Sequence, residues 1–323
     1  MNATALFVFR FSQTTMERYK SFANWLRNTY GTRVQKISIN LNLQCPNRDG
    51  TKGYGGCIYC DNYSYMPSYT LTEKSVEQQI DEGIKYFQKK YPTQLYIAYF
   101  QNFTNTYGNK AFLYECYNKA LKQEKIIGLA ISTRPDCLDD EIINIIKEIN
   151  LQKKVFVEIG IESTLDKTLI ILNRCHSYQD VIEAVYKLHD NNLWCTGHLI
   201  LGLPGETKET AIEHANKISK LPINCIKLHQ LQILKNTALH KIYINNPSFV
   251  KPLSLEEYID WVVVFLENLS PNIYIERFTS ESPKDKVIAP DWKQIKNYHV
   301  VELIRKKLSS LNTYQGRLIK ILP

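Results

Sequence analysis

Short, nearly continuous apolar runs alternate with amphipathic segments along the first 234 residues of this chain. Residues 36–43 (KISINLNL), 95–101 (LYIAYFQ), 126–133 (IIGLAIST), 154–161 (KVFVEIGI), 195–203 (CTGHLILGL) and 225–233 (CIKLHQLQI) read as strands. Several lack a polar face, as strands buried on both sides of a parallel sheet should. Between them lie helical patterns over 73–90, 138–149, 178–190 and 207–221, with apolar residues spaced three and four apart, such as Val76, Ile80, Ile84 and Phe87. Ser177 and Asp180 form an acidic capping box at the start of one of them. Strands and helices in alternation imply right-handed crossovers, and so a parallel barrel or a wound sheet.

The rhythm changes after residue 234. A long amphipathic helix is expected over 255–269, a last strand over 272–278 and a further helix over 291–311, punctuated by Pro247, Pro252, Pro271, Pro283 and Pro290. This region reads as an extension packed on the main domain. At the other end, residues 1–15 contain no acidic residue and one basic residue, Arg10; the run Leu6–Phe9 is too short for a signal-peptide core. The composition changes at Met16.

At 323 residues the chain can bury roughly three quarters of its unfolded surface, so it needs no disulfide staples. No stretch approaches the ~20 continuous apolar residues of a membrane span, and a cytoplasmic protein is expected. Its eight cysteines then read as thiols or metal ligands. The net charge of +8, from 40 Lys+Arg against 32 Asp+Glu, suits an anionic partner such as nucleic acid, or a general Asn/Lys bias of composition.

Three cysteines sit just after the first strand, in Cys45-PNRDGTKGYGG-Cys57-IY-Cys60. Four glycines let the intervening loop fold tightly. The C-terminal end of a parallel strand is where α/β barrels place their chemistry. Three thiolates suit a 4Fe–4S cluster whose fourth iron is open to a small molecule. A zinc site with a remote fourth ligand, or three unrelated thiols, are the other readings that the spacing leaves open.

The cluster loop, the strand order and the segments below resemble the radical S-adenosylmethionine (SAM) superfamily over residues 19–278. Within it the chain is most similar to the YhcC-type proteins, relatives of the elongator catalytic subunit, which share the long gap between the first two cysteines. The resemblance implies a partial (β/α)6 TIM-like barrel over 19–234, an N-terminal extension over 1–18 and a C-terminal α/β extension over 235–323. It implies that Cys45, Cys57 and Cys60 ligate a 4Fe–4S cluster and that SAM binds the open iron. Tyr59 matches the aromatic position near adenine. Gln101 and Thr104 stand where most members carry a glycine-rich segment that meets the SAM amino group. Arg134, at the end of the third strand, needs an anionic partner: a SAM carboxylate, a substrate group, or Glu158 or Glu162. Glu158, Gly160 and Glu162 share one strand face; the match gives Glu162 and Ser163 to the SAM ribose and Glu158 to its amino group. Gly202 and Leu203 fall in the segment that packs on adenine. His198, Lys227 and His229 are candidates for contact with substrate. No catalytic side chain is assigned beyond the cluster.

The other five cysteines read as buried packing residues, with Cys175 in a loop at the active-site face. Kinship with the elongator branch points to transfer RNA, through a wobble uridine, with the basic residues Lys293, Lys296, Arg305, Lys306 and Lys307 as a contact surface. The chain lacks the acetyltransferase domain of that relative, so acetyl-CoA chemistry is not implied. A small metabolite or a protein is the alternative substrate, and a zinc-stabilised RNA-binding protein without catalysis the alternative class. Other expected partners are a one-electron donor such as flavodoxin or ferredoxin, and no membrane.

Overall fold

The sequence holds its strands together by burying them on both faces. In β2 (Leu95–Phe100) only the first residue escapes burial, and in β4 (Lys154–Glu162) only the two ends do. Such strands cannot lie at a solvated sheet face, and they pair in parallel. The computed structural model describes residues 17–319 apart from 62, 63, 65, 71–73 and 294. The N-terminal extension up to Met16, and the expected first residue of the 73–90 helix, lie outside the described residues.

One seven-stranded sheet carries the molecule. Its order is β1 (Val34–Ile39), β2, β3 (Ile126–Thr133), β4, β5 (Trp194–Leu201), β6 (Cys225–Gln230) and β8 (Tyr274–Arg277), and all its pairings are parallel. The sheet is curled into a partial barrel. Lys36 of β1 reaches Glu276 of β8 at 2.6 Å although these are the two ends of the sheet. The six expected strands are joined by a seventh from the C-terminal region, so β6 is an interior strand and not a solvated edge. Ser21 makes a one-residue parallel bridge with Ile275 and covers part of the outer edge.

Helices α2 (Val76–Gln88), α4 (Asp140–Gln152), α6 (Tyr178–Asp190) and α7 (Lys208–Ser219) lie close to their expected spans. The Ser177–Asp180 capping box is present. Helix α3 (Lys110–Leu121) was not read from the sequence, yet its signal is there: Asn109 caps it, and Leu113, Cys116, Tyr117, Ala120 and Leu121 are buried at helical spacing. Helix α1 (Phe22–Tyr30) is started by the Ser21 hydroxyl and ended by Gly31 at φ +70°. It sets Phe22 and Trp25 against Phe156, Trp194 and Tyr274, with ring centroids 4.9–6.1 Å apart. These partners lie near the starts of β4, β5 and β8, so α1 plugs the N-terminal end of the barrel.

Two strands are shorter than expected. β1 stops at Ile39, because the Asn40 backbone bonds the Gln79 side chain and Asn42 takes φ +53°. The 225–233 run divides after Gln230, whose side-chain amide takes the place of a neighbouring strand by bonding both the N–H and the C=O of Ser280. Beyond it β7 (Ile233–Leu234) pairs antiparallel with β9 (Val287–Ala289). Helix α9 (Leu255–Asn268) packs on α7, and α10 (Asn297–Ser310), which begins later than expected, packs on α9. The other α-helices among the described residues are α5 (Asp166–Ile171) and α8 (Ala238–Asn245). Among the described residues no helix is long and apolar enough to cross a membrane.

Candidate active site

The cysteine loop is held by its own backbone and by one distant loop. Arg48 N–H donates to Cys45 O (2.8 Å), Gly56 N–H to Asn47 O (2.8 Å) and Cys60 N–H to Cys57 O (3.0 Å). Gly56 takes φ +78°, which a side chain rarely allows, and a Cβ there would strike Arg48. Asn47, fully buried, donates to Asn173 O (2.6 Å), while the Asn173 amide donates to Tyr54 O and Gly56 O. The segment 173–175, between α5 and α6, thus fastens the loop over the end of the barrel.

Cys45, Cys57 and Cys60 line a single pocket at the C-terminal ends of the strands. Asn47 Nδ2 lies 3.6 Å and Arg174 Nη1 3.5 Å from Cys57 Sγ, both donating. N–H donors aimed at sulfur suit thiolates rather than thiols. Burial, with the Cys57 thiol beside it, pushes the Cys60 thiol up to about 12. Three cysteines on one pocket, with N–H donors aimed at the Cys57 sulfur, are a soft thiolate donor set that fits an iron–sulfur cluster.

The same pocket gathers most of the residues expected to meet SAM or substrate. Tyr59, Gln101, Thr104, Arg134, Glu158, Gly160, Glu162, His198 and His229 all line this pocket. Ser163, Gly202, Leu203 and Lys227 do not. Ser163 is buried, and its hydroxyl donates to Glu206 (2.6 Å). Gly202 and Leu203 lie in a separate hollow beside Phe249 and Trp261. Arg134 finds its anion two residues on: Asp136 accepts two bonds, at 2.8 and 2.9 Å. Neither Glu158 nor Glu162 is its partner.

Glu162 pairs instead with Arg174, at 3.3 Å. The register of β4 against β5 shifts between Gly160 and Glu162, and Glu162 takes φ +62°. This irregularity at the strand end turns the carboxylate into the pocket, a costly backbone state that occurs where position matters. Arg174 also donates to Gly160 O (3.0 Å). A Cβ on Gly160 would lie 2.3 Å from the Arg174 guanidinium and 2.5 Å from Glu162 Oε1. Arg174 therefore connects Cys57, Gly160 and Glu162. Sequence reasoning missed it, because nothing near it in the chain marks it out from other loop arginines.

Glu158 lies deeper, on the barrel axis. Lys36 and Lys227 each donate to it at 2.5 Å, and His198 Nε2–H donates at 2.8 Å. Lys227 also reaches Glu276 (3.1 Å) and the Tyr99 hydroxyl (3.3 Å). Both oxygens of Glu158 are thus engaged by side chains of the barrel itself. Its carboxyl is pulled well below the usual range by the two ammoniums, Lys227 above all, against the opposing effect of burial. Burial and Lys227 lower His198, and burial with Arg277 lowers His229 well below the usual imidazole range. The two rings stack, neutral, 5.3 Å apart.

The remaining cysteines are Cys116, Cys195 and Cys225, all buried, Cys137, half-buried, and Cys175, exposed. Burial pushes the Cys116 thiol up to about 11 and Cys195 higher still. Of the basic C-terminal residues, Lys296, Arg305 and Lys307 pair with Glu281, Glu302 and Asp260.

Residues 44–218 match the Radical SAM superfamily and residues 223–310 the Radical_SAM C-terminal domain. The chain is 31% identical over 303 residues to the uncharacterized protein YtqA of Bacillus subtilis, covering 94% of this chain and 93% of that one. It is 26% identical over 237 residues to a tRNA uridine(34) acetyltransferase of Dehalococcoides mccartyi, covering 62% of this chain and 49% of the relative. Among solved structures, the archaeal Methanocaldococcus infernus Elp3 has the same fold at a TM-score of 0.67 and 18% identity, over 87% of this chain and 64% of that chain. The choice the cysteine spacing left open is thereby resolved: the cofactors are a 4Fe–4S cluster and SAM, and the protein is an enzyme. With three cysteines and polar strand ends lining one pocket of a partial parallel barrel, the chain belongs to the radical SAM superfamily.

Proposed function

We propose that this enzyme directs the radical made from SAM at a nucleoside of transfer RNA. The observation that carries the RNA reading is the kinship with tRNA uridine(34) acetyltransferases, which extends over 237 residues. The shape of the site supports it. The cysteine pocket shares Gln230, Gln232 and Ser280 with a groove that continues past Lys284, Trp292 and Lys296. Glu281, paired with Lys296, and Asp291 share this groove, so Lys284 and the Trp292 face are what it offers a single-stranded nucleic acid whose target base enters the pocket.

Cys45, Cys57 and Cys60 would hold the cluster, which would supply the one electron for reductive cleavage of SAM to methionine and a 5′-deoxyadenosyl radical. The chain's own residues orient and exclude water. Glu162, held by Arg174, is the acceptor for the ribose hydroxyls, while the Ser163 hydroxyl is taken by Glu206. Tyr59, between two ligand cysteines, closes over adenine. Gln101 and Thr104 bind the amino acid end, a role the sequence shared with Glu158. Arg134 is neutralised by Asp136 and serves to hold the 174–175 backbone, through bonds of 3.0 and 3.1 Å. His198 and His229, neutral and stacked, face the substrate side. An electron carrier of low potential, such as flavodoxin or ferredoxin, reduces the cluster.

The test of the RNA reading is the modified-nucleoside profile of transfer RNA from a deletion strain and its parent. Loss of one nucleoside is expected. An unchanged profile sinks the RNA reading and turns the search to small metabolites and proteins.

A further inference from the structure

Four arginines line the cysteine pocket among the described residues. Three are spoken for: Arg48 donates to the Cys60 carbonyl, Arg134 to Asp136 and Arg174 to Glu162. The fourth, Arg277, comes from β8, the strand that the C-terminal region adds to the sheet. Among the described residues its side chain hydrogen-bonds His229 Nε2 alone, at 3.5 Å, and its buried Nε has no hydrogen-bond partner. No carboxylate among the described residues pairs with it. The nearest carboxylate on its own strand, Glu276, is taken by Lys36 and Lys227. His229 is neutral and cannot offset it. Arg277 is half-buried with its Nε out of reach of solvent, and a pocket-lining guanidinium with a donor left unpaired is suited to take an anion.

Arg277 stands at the seam where the two ends of the curled sheet approach each other, and it lines both the cysteine pocket and a second cavity along that seam. That cavity adds aromatic faces, from Phe22, Tyr69 and Tyr86. We propose that Arg277 is the anion anchor of the substrate and takes a phosphate of the nucleotide being modified. A guanidinium offers a fork of donors that matches phosphate, and aromatic rings beside it suit a base. The inference rests on the RNA reading for its choice of phosphate, and on the lone guanidinium for the site itself.

The test is anaerobic calorimetry on the reconstituted holoenzyme with uridine 5′-monophosphate and uridine. The monophosphate is expected to bind about tenfold more tightly or better, as a charge-assisted bond allows. Arg277→Gln brings that ratio close to one with uridine affinity kept, and Arg277→Lys restores most of it. Iron content and unfolding midpoint monitor the fold of both variants. In the wild type, which needs no variant to fold, inorganic phosphate competes with the monophosphate and not with uridine. Equal affinity of the two ligands, no binding of either, or a ratio undiminished in a folded Arg277→Gln overturns the proposal. The RNA reading fails on its own measurement, the nucleoside profile. A phosphate-dependent affinity lost in Arg277→Gln survives that failure, as the anion site of another phosphorylated substrate.

Discussion

Glu158 shows what a single residue is asked to do here. It is fully buried and accepts from two lysines and a histidine that come from β1, β6 and β5. Removing its charge leaves two buried ammoniums with only Glu276 between them. Glu158→Gln should therefore lower stability by about 3–5 kcal/mol at neutral pH, as breaking buried pairs does. The pH dependence has a definite sign. The folded carboxyl titrates well below its unfolded value of about 4.3. Its contribution is full above that value and is lost as pH falls through the folded pKa. Unfolding curves of wild type and Glu158→Gln should thus converge in acid; a gap that widens as pH falls contradicts the assignment. Gly160 is a second sensitive point. Gly160→Ala pushes Arg174 and Glu162 apart, and the expected result is a rise of about tenfold in the KM for SAM with near-normal iron content. An unchanged KM would mean that the Arg174–Glu162 pair does not position SAM.

Among the elements, what could be read from the chain was what local pattern dictates. β2 and β4 are apolar because both faces are covered, and the Ser177–Asp180 box announces α6 within four residues. Loss of that box in Ser177→Ala should cost about 1 kcal/mol, seen as a lower thermal midpoint; an unchanged midpoint would show that packing alone fixes the start of α6. The cysteine ligands were equally legible, since their spacing lies in one loop. Lys36, Arg174 and Glu276 were not. Lys36 meets Glu158 across 122 residues and Glu276 across 240, and no local signal marks a lysine for the inside of a barrel. The same distance hid the partners of Glu158: alternation on β4 placed it on the inner face, but the lysines and the histidine that bond it sit on other strands. Arg134 was read as needing an anion, and it has one, but from its own turn.

The whole molecule is a half-barrel with a charged, self-compensated middle layer. Below that layer α1 and its aromatic neighbours seal the N-terminal end; above it the cysteine loop and the strand ends form the reaction pocket. The C-terminal region completes the sheet with β8 and brings Arg277 and Glu276 to the site, so deleting it should remove more than a surface. The net charge of +8 says less than it promised, because several of the basic C-terminal residues are paired with carboxylates. The central claim is that Cys45, Cys57 and Cys60 hold a SAM-cleaving 4Fe–4S cluster. Anaerobic reconstitution followed by dithionite reduction with SAM measures it directly. The wild type should hold about four irons per chain and release 5′-deoxyadenosine, and Cys57→Ala should do neither. Release of 5′-deoxyadenosine by Cys57→Ala, or a colourless wild type that binds a single zinc, would contradict it.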